Sequence, residues 1–158
     1  KLKMLRFYGM KDLYFSEIEN GINSRLDEVQ AAILDFKLKR LDQDILKRRN
    51  IAKMYFDGLT SKDLILPIEH ENYTHSFYVF VVRHPNRNKI IEKLKLENIN
   101  VNISYPFPIH TMPPFKKFKK GNLKNTSKLS REIFSLPMYP ALTTEKVEKV
   151  IKVLNKIC

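Results

Sequence analysis

"NGINSRLDEVQAAIL" (Asn20–Leu34) reads as a loop that breaks sharply into an amphipathic helix. At the break stand Asn23, Ser24 and Arg25, two small polar side chains and a permanent cation. The first turn of a helix leaves backbone N–H groups unpaired and carries partial positive charge, so an anion there needs few further partners. Asn23 could donate its amide to a phosphate oxygen, and Arg25 could add a full charge or a bidentate grip. A plainer reading competes. Ser24 followed three residues on by Asp27 resembles a capping box, with Arg25 paired to Asp27 or Glu28. Both can hold, since Ser24 can cap while Asn23 and Arg25 look outward.

Downstream, Leu26, Val29, Ile33, Phe36, Leu41, Ile45, Ala52 and Tyr55 keep a helical period, which predicts a long, bendable helix to about Phe56, ended near Gly58. "HSFYVFVVR" (His75–Arg83) predicts a strand, "HPNR" a turn, and Asn86 or Asn88 the cap of a helix through about Glu97. "INVNISY" (Ile99–Tyr105) alternates as a second strand would. The four prolines of "PFPIHTMPPF" then exclude helix and central strand and predict a rigid, shaped loop. A helix over about Thr126–Phe134 and a last one over Thr143–Ile157, opened by "TTEKVEKV", complete the expectation. Helices with few strands and no βαβα rhythm give an α+β class, a small sheet backed by helices.

At 158 residues and 43% hydrophobic, the chain suits one ordinary domain with its own core. The lone Cys158 supplies neither a disulfide framework nor a zinc spacing, and fits a reducing cytosol. No apolar run is long enough to span a bilayer, and no secretory signal opens the chain. The opening "KLKMLRFYGM" lacks an initiator methionine and starts mid-pattern, as though a segment precedes it. A formal charge of +12 admits two explanations, a nucleic-acid stripe or lysines spread over solvated faces. Lysines run from Lys1 to Lys156 with one cluster, "FKKFKKGNLK" (Phe115–Lys124), and no nucleic-acid motif accompanies them.

A second polar constellation lies in "SYPFPIHTMPP". Tyr105 and His110 ride on the proline-stiffened loop, where binding groups often sit, and a histidine there can donate to a hydroxyl or shuttle a proton. A surface histidine in a turn explains the same residues. His70, His75 and His84 have no metal spacing and read as structural or exposed. No Gly-rich phosphate loop, paired-carboxylate signature, nucleophile elbow or HExxH is present.

Taken together, "GINSRLDEVQAAILDFKLKRLD", "RRNIAKMYFDGL", "YPFPIHTMPPF" and "SLPMYPALTTEKVEKVI" resemble, in order and spacing, the DegT/StrS-type nucleotide-sugar aminotransferases. The likeness covers essentially the whole chain. It implies the C-terminal part of a pyridoxal-phosphate enzyme of the aspartate-aminotransferase fold (fold type I): residues 1–22 the tail of the large domain, 23–58 a long connecting helix, and 59–158 a small α+β domain. The Asn-Ser-Arg form and the Tyr-Pro-x-Pro-x-His loop look most like enzymes that aminate a keto-deoxyhexose on dTDP, a 3-keto sugar first, with glutamate as amino donor. Asn23 would hydrogen-bond the cofactor phosphate in the partner subunit of an obligate homodimer, with Arg25 beside that phosphate or the substrate. His110 and Tyr105 would approach the sugar, with Arg6 a further candidate for that pocket. "LRFYG" resembles the family's Leu-Arg-x-His-Gly segment, with Tyr8 where histidine is common. The lysine that forms the Schiff base would lie upstream, so this chain alone should not transaminate. Neither nucleic acid nor a membrane is expected as partner. The rivals are a non-catalytic dimerisation or interaction remnant, and a basic nucleic-acid module built on Lys116, Lys117, Lys119 and Lys120 with Phe115 and Phe118.

Overall fold

Glycine at two points shapes the start of the chain. Gly9 turns with φ +72°, and Gly21 lies so close to the backbone of Tyr8 and Gly9 that a side chain would overlap it. The computed structural model describes residues 1–158, which form two compact units, Lys1–Leu41 and Asp42–Cys158.

The first unit holds a short helix α1 (Leu2–Leu5), a two-stranded antiparallel ribbon β1 (Met10–Asp12) and β2 (Phe15–Ser16), and helix α2 (Glu28–Leu38). The close approach at Gly21 lays residues 22–24 along 5–8: Ile22 N–H donates to Leu5 O, Tyr8 N–H to Ile22 O and Ser24 N–H to Arg6 O, with Phe7 bridged to Asn23. The cap of α2 differs from the expectation. Asp27, not Ser24, is the N-cap, its Oδ1 accepting from Val29 N at 2.9 Å and Gln30 N at 3.2 Å. A carboxylate one residue from the first turn meets both donors directly, whereas the Ser24 hydroxyl stands three residues further back.

The second unit follows with α3 (Leu41–Gly58), β3 (Phe80–Arg83), α4 (Arg87–Leu96), 3₁₀ turns Ile109–Thr111 and Pro113–Phe118, α5 (Lys124–Glu132), β4 (Ile133–Leu136) and α6 (Thr144–Ile157). The expected single helix is therefore interrupted at Lys39 and Arg40, and Asp42 and Asp44 in the first turn of α3 suit a new N-terminus. Its end is where the glycine predicts: Asn155 on α6 donates from Nδ2 to Gly58 O and accepts from Thr60 N–H, closing the terminus.

The sheet of this unit is a two-stranded antiparallel pair, β3 with β4, in the register Phe80↔Leu136 and Val82↔Phe134. Those four side chains are buried together with Tyr55 of α3, Leu94 of α4, and Val147 and Leu154 of α6. The Tyr55 and Phe80 rings stand 5.0 Å apart. Burial pushes the Tyr55 phenol up, with Tyr139 adding to it, so it stays protonated and donates to Pro137 O at 2.8 Å.

Three sequence readings are corrected. Only Phe80–Arg83 of "HSFYVFVVR" is strand, because Phe77 takes φ +45° and its N–H turns back to His75 Nδ1. "INVNISY" contributes one bridge, Asn102↔Ser135, rather than a strand. The helix ends at Glu132, and Ile133 opens the strand that pairs with β3. No helix is long and apolar enough to cross a membrane.

Candidate functional site

In the first unit the bridge between Phe7 and Asn23 fixes a small cluster. Asn23 is exposed and its side-chain amide makes no hydrogen bond within the chain. The Arg25 guanidinium lies 5.6 Å from the centre of the Phe7 ring, and Arg6 caps α1 one residue before Phe7. Of the five sequence-predicted site residues, Arg25 thus stands over the Phe7 ring, Asn23 is bridged to Phe7 through the backbone, and Arg6 is its neighbour in the chain. Tyr8 holds φ +54° there and meets Phe7 edge-on.

The residue set fits a phosphate, though not through the helix. Asp27 already takes two of the free N–H groups of α2, so an anion would be met chiefly by a neutral amide donor and two cations, one of them over the Phe7 ring. Pyridoxal phosphate carries such a group.

His110 and Tyr105 are brought together in the second unit. Pro108 is extended (φ −64°, ψ 136°), and the 3₁₀ turn after it is tied by Thr111 N–H and Thr111 Oγ1, both donating to Pro108 O. The prolines thus exclude α-helix, as expected, while Pro113 and Pro114 open a 3₁₀ turn at positions where no N–H is required. His110 Nε2 stands 3.1 Å from Ser127 Oγ of α5, which holds the ring and leaves Nδ1 for a ligand. His110 and the exposed Tyr105 line a cavity of ≈ 560 Å³ together with Phe115, Phe118, Lys119, Lys120 and Leu129 of α5.

Of the remaining histidines, His70 is exposed and the other two hold backbone. His84 is buried and its Nδ1 accepts from Asn86 N–H, and His75 accepts from Phe77 N–H. No group of three or more His, Cys, Asp or Glu side chains stands ready to hold a metal ion. Sequence reasoning passed over Arg48, whose guanidinium donates to Tyr78 O and Met138 O, each at 3.0 Å, and to Phe77 O at 3.4 Å. Its only sequence signal was a second arginine beside Arg49 on a helix face.

The profile of the DegT/DnrJ/EryC1/StrS aminotransferase family matches residues 1–155. The chain belongs to this family. It is 46% identical, over 99% of its length, to a dTDP-3-amino-3,4,6-trideoxy-alpha-D-glucose transaminase of Micromonospora megalomicea. It is 35% identical, again over 99%, to a dTDP-3-amino-3,6-dideoxy-alpha-D-galactopyranose transaminase of Aneurinibacillus thermoaerophilus. It spans 44% and 43% of the length of those relatives. Among solved structures, S. venezuelae DesV superposes with a TM-score of 0.90 at 32% identity, covering 98% of this chain and 42% of that one. NtdA of Bacillus subtilis, solved with bound cofactor PMP, superposes at 0.85 with 25% identity, covering 98% of this chain and 38% of that one. The expected α+β class and its place within fold type I sugar aminotransferases are borne out.

Proposed function

We propose that this chain works as the C-terminal part of a cytoplasmic, pyridoxal-phosphate-dependent aminotransferase that moves an amino group from glutamate to a dTDP-linked 3-keto-deoxyhexose. The observation that carries this reading is the 46% identity, along nearly the whole chain, with a transaminase named for a dTDP-3-amino sugar. In this reading residues 1–22 close the large domain, 23–58 connect, and 59–158 form the small domain of one subunit in a homodimer. When bound, the cofactor supplies an electron sink that lets nitrogen pass between carbon skeletons. The chain's own residues bind and orient. Asn23 donates its unpartnered amide to the phosphate in the partner subunit's site, and Arg25 adds positive charge. Arg6 contributes to the substrate pocket. His110, held by Ser127, offers Nδ1 to a sugar hydroxyl, and Tyr105 offers its phenol.

Two measurements test this. In a polypeptide joining this chain to the cofactor-anchoring lysine, Asn23→Ala should weaken pyridoxal-phosphate binding by about tenfold or more in an absorbance titration, the worth of a charge-assisted hydrogen bond. Unchanged affinity would remove Asn23 from the phosphate. The 158-residue chain alone should form no amino sugar from glutamate and the dTDP-keto sugar. Amination by it would overturn the division of labour.

A further inference from the structure

The turn that carries His110 is tied at its backbone, where Thr111 bonds twice to Pro108 O. The ring itself makes one hydrogen bond, between Nε2 and Ser127 Oγ at 3.1 Å. That hydroxyl is delivered with little freedom. Ser127 lies in the first turn of α5, where its N–H donates to Leu123 O at 3.0 Å and its carbonyl accepts from Ser130 Oγ at 3.1 Å. The helix is moored in turn to α4, because the buried Arg87 guanidinium donates to Ser130 O and Ile133 O. His110 lines the cavity and Ser127 does not, so the serine acts on a ligand only through the ring.

The direction of this bond decides what His110 can offer. A neutral imidazole carries its proton on one nitrogen and accepts at the other. His110 Nε2 is the one hydrogen-bond partner of Ser127 Oγ in the chain. Were the oxygen to accept from an Nε2–H, its own O–H would be left without an acceptor at a half-buried position. An orphaned donor is the rarer and costlier defect, while a hydroxyl that donates leaves only lone pairs unused.

We propose that Ser127 is the positioning residue of His110: its hydroxyl donates to Nε2, confines the ring proton to Nδ1, and so presents the ligand with a neutral hydrogen-bond donor rather than an acceptor. The assignment rests on the reading of His110 as a sugar-contacting group and deepens it. Lys119 and Lys120 already bring charged donors to the same cavity. A neutral N–H from His110 grips a hydroxyl or carbonyl oxygen without a further charge to desolvate.

Long-range proton–nitrogen NMR of the 158-residue chain tests this directly, because a protonated and a bare imidazole nitrogen resonate far apart. At a pH where the ring is neutral, Nδ1 should carry the proton in the wild type. Ser127→Ala should lose that preference and Ser127→Thr, which keeps the hydroxyl, should retain it. Alanine is the better helix former, so the first variant keeps α5. A bare Nδ1 in the wild type, or a proton that stays on Nδ1 in Ser127→Ala, would overturn the assignment. A loss in Ser127→Thr as well would assign the effect to packing and overturn it too. In a polypeptide joining this chain to the cofactor-anchoring lysine, Ser127→Ala should lower kcat/KM for the dTDP-keto sugar by about three- to tenfold, the worth of one hydrogen bond, and leave the glutamate half-reaction unchanged. Equal losses in both half-reactions, or none in either, would remove Ser127 from positioning and leave the aminotransferase reading standing. A wild type that aminates no keto sugar would overturn that reading, and the NMR result would then decide the Ser127–His110 bond by itself.

Discussion

Helix α6 puts Val147 and Leu154 wholly out of solvent with six apolar residues in fourteen, whereas α2 has seven apolar residues in eleven and buries none. The difference is one of arrangement. In α6 the valines and Leu154 recur at three- and four-residue steps and make one stripe, which packs with α3, α4 and the β3–β4 pair into a single core. In α2 the apolar side chains run round the helix, and Val29 and Phe36 remain 68% and 63% exposed. A helix apolar on all sides is built to be covered. Within the first unit nothing covers it.

Removing a side chain from each unit should expose this contrast. Phe80→Ala leaves a hole among Tyr55, Phe56 and Phe77, whose rings lie 5.0, 5.1 and 6.0 Å from its own. The loss should be about 3–5 kcal/mol in urea unfolding, the usual cost of emptying an aromatic core site. A loss below about 1 kcal/mol would mean that the second unit does not fold around this cluster.

Arg48→Ala comes next. Its guanidinium joins α3 to the backbone at Phe77, Tyr78 and Met138, and truncation leaves two partly buried carbonyls, and the exposed one of Tyr78, short of a donor. About 1–3 kcal/mol should be lost. Arg48→Lys should recover only part of this, since the ammonium ends one bond nearer the backbone than the Nη1 nitrogen that makes all three contacts.

What the sequence made legible follows the same division between local and distant causes. The end of α3 at Gly58, the start of α4 at Asn86 and the bounds of α6 are written in their own residues, and the structure agrees to within a residue. Strand β4 was hidden because "IFSLP" makes sense only once Val82 lies across from Phe134, a pairing of residues more than fifty apart. The failure of His75–Val79 to extend lay in a local detail, the ring nitrogen of His75 capturing Phe77 N–H. The signal for the Asp27 cap was present, an acidic residue one step before Glu28, and Ser24 drew attention from it. For the site, Asn23 and His110 were legible through motif resemblance, whereas the Phe7 ring beneath Arg25 required the bridge at Asn23 to be seen.

A smaller effect should appear as a pH dependence. Arg49 donates to Glu69 Oε1 at 2.6 Å and His75 N–H adds a 3.3 Å contact, which together hold the Glu69 carboxyl below its usual range. A carboxyl depressed in the folded state contributes stability above its unfolded pKa and loses it as pH falls through the folded value. Wild type should therefore exceed Glu69→Gln at neutral pH, and the two should converge in the acidic range. Because the pair is open to water, the gap should be smaller than that for Arg48. A gap that widens on acidification would reverse the assignment.

The smallest effect carries the most information about α2. Phe36→Ala should shift the urea midpoint of the isolated chain by no more than about 0.5 kcal/mol, since an exposed ring gives up few contacts when removed. A loss above about 2 kcal/mol would show that α2 packs within the chain and would erase the contrast between the units. If the small value holds, the same substitution becomes a probe of what covers the helix. In a polypeptide that dimerises, Phe36→Ala should raise the dissociation constant measured by sedimentation while leaving subunit unfolding alone. An apolar residue whose removal costs the fold nothing, yet loosens the assembly, belongs to the interface rather than to the core.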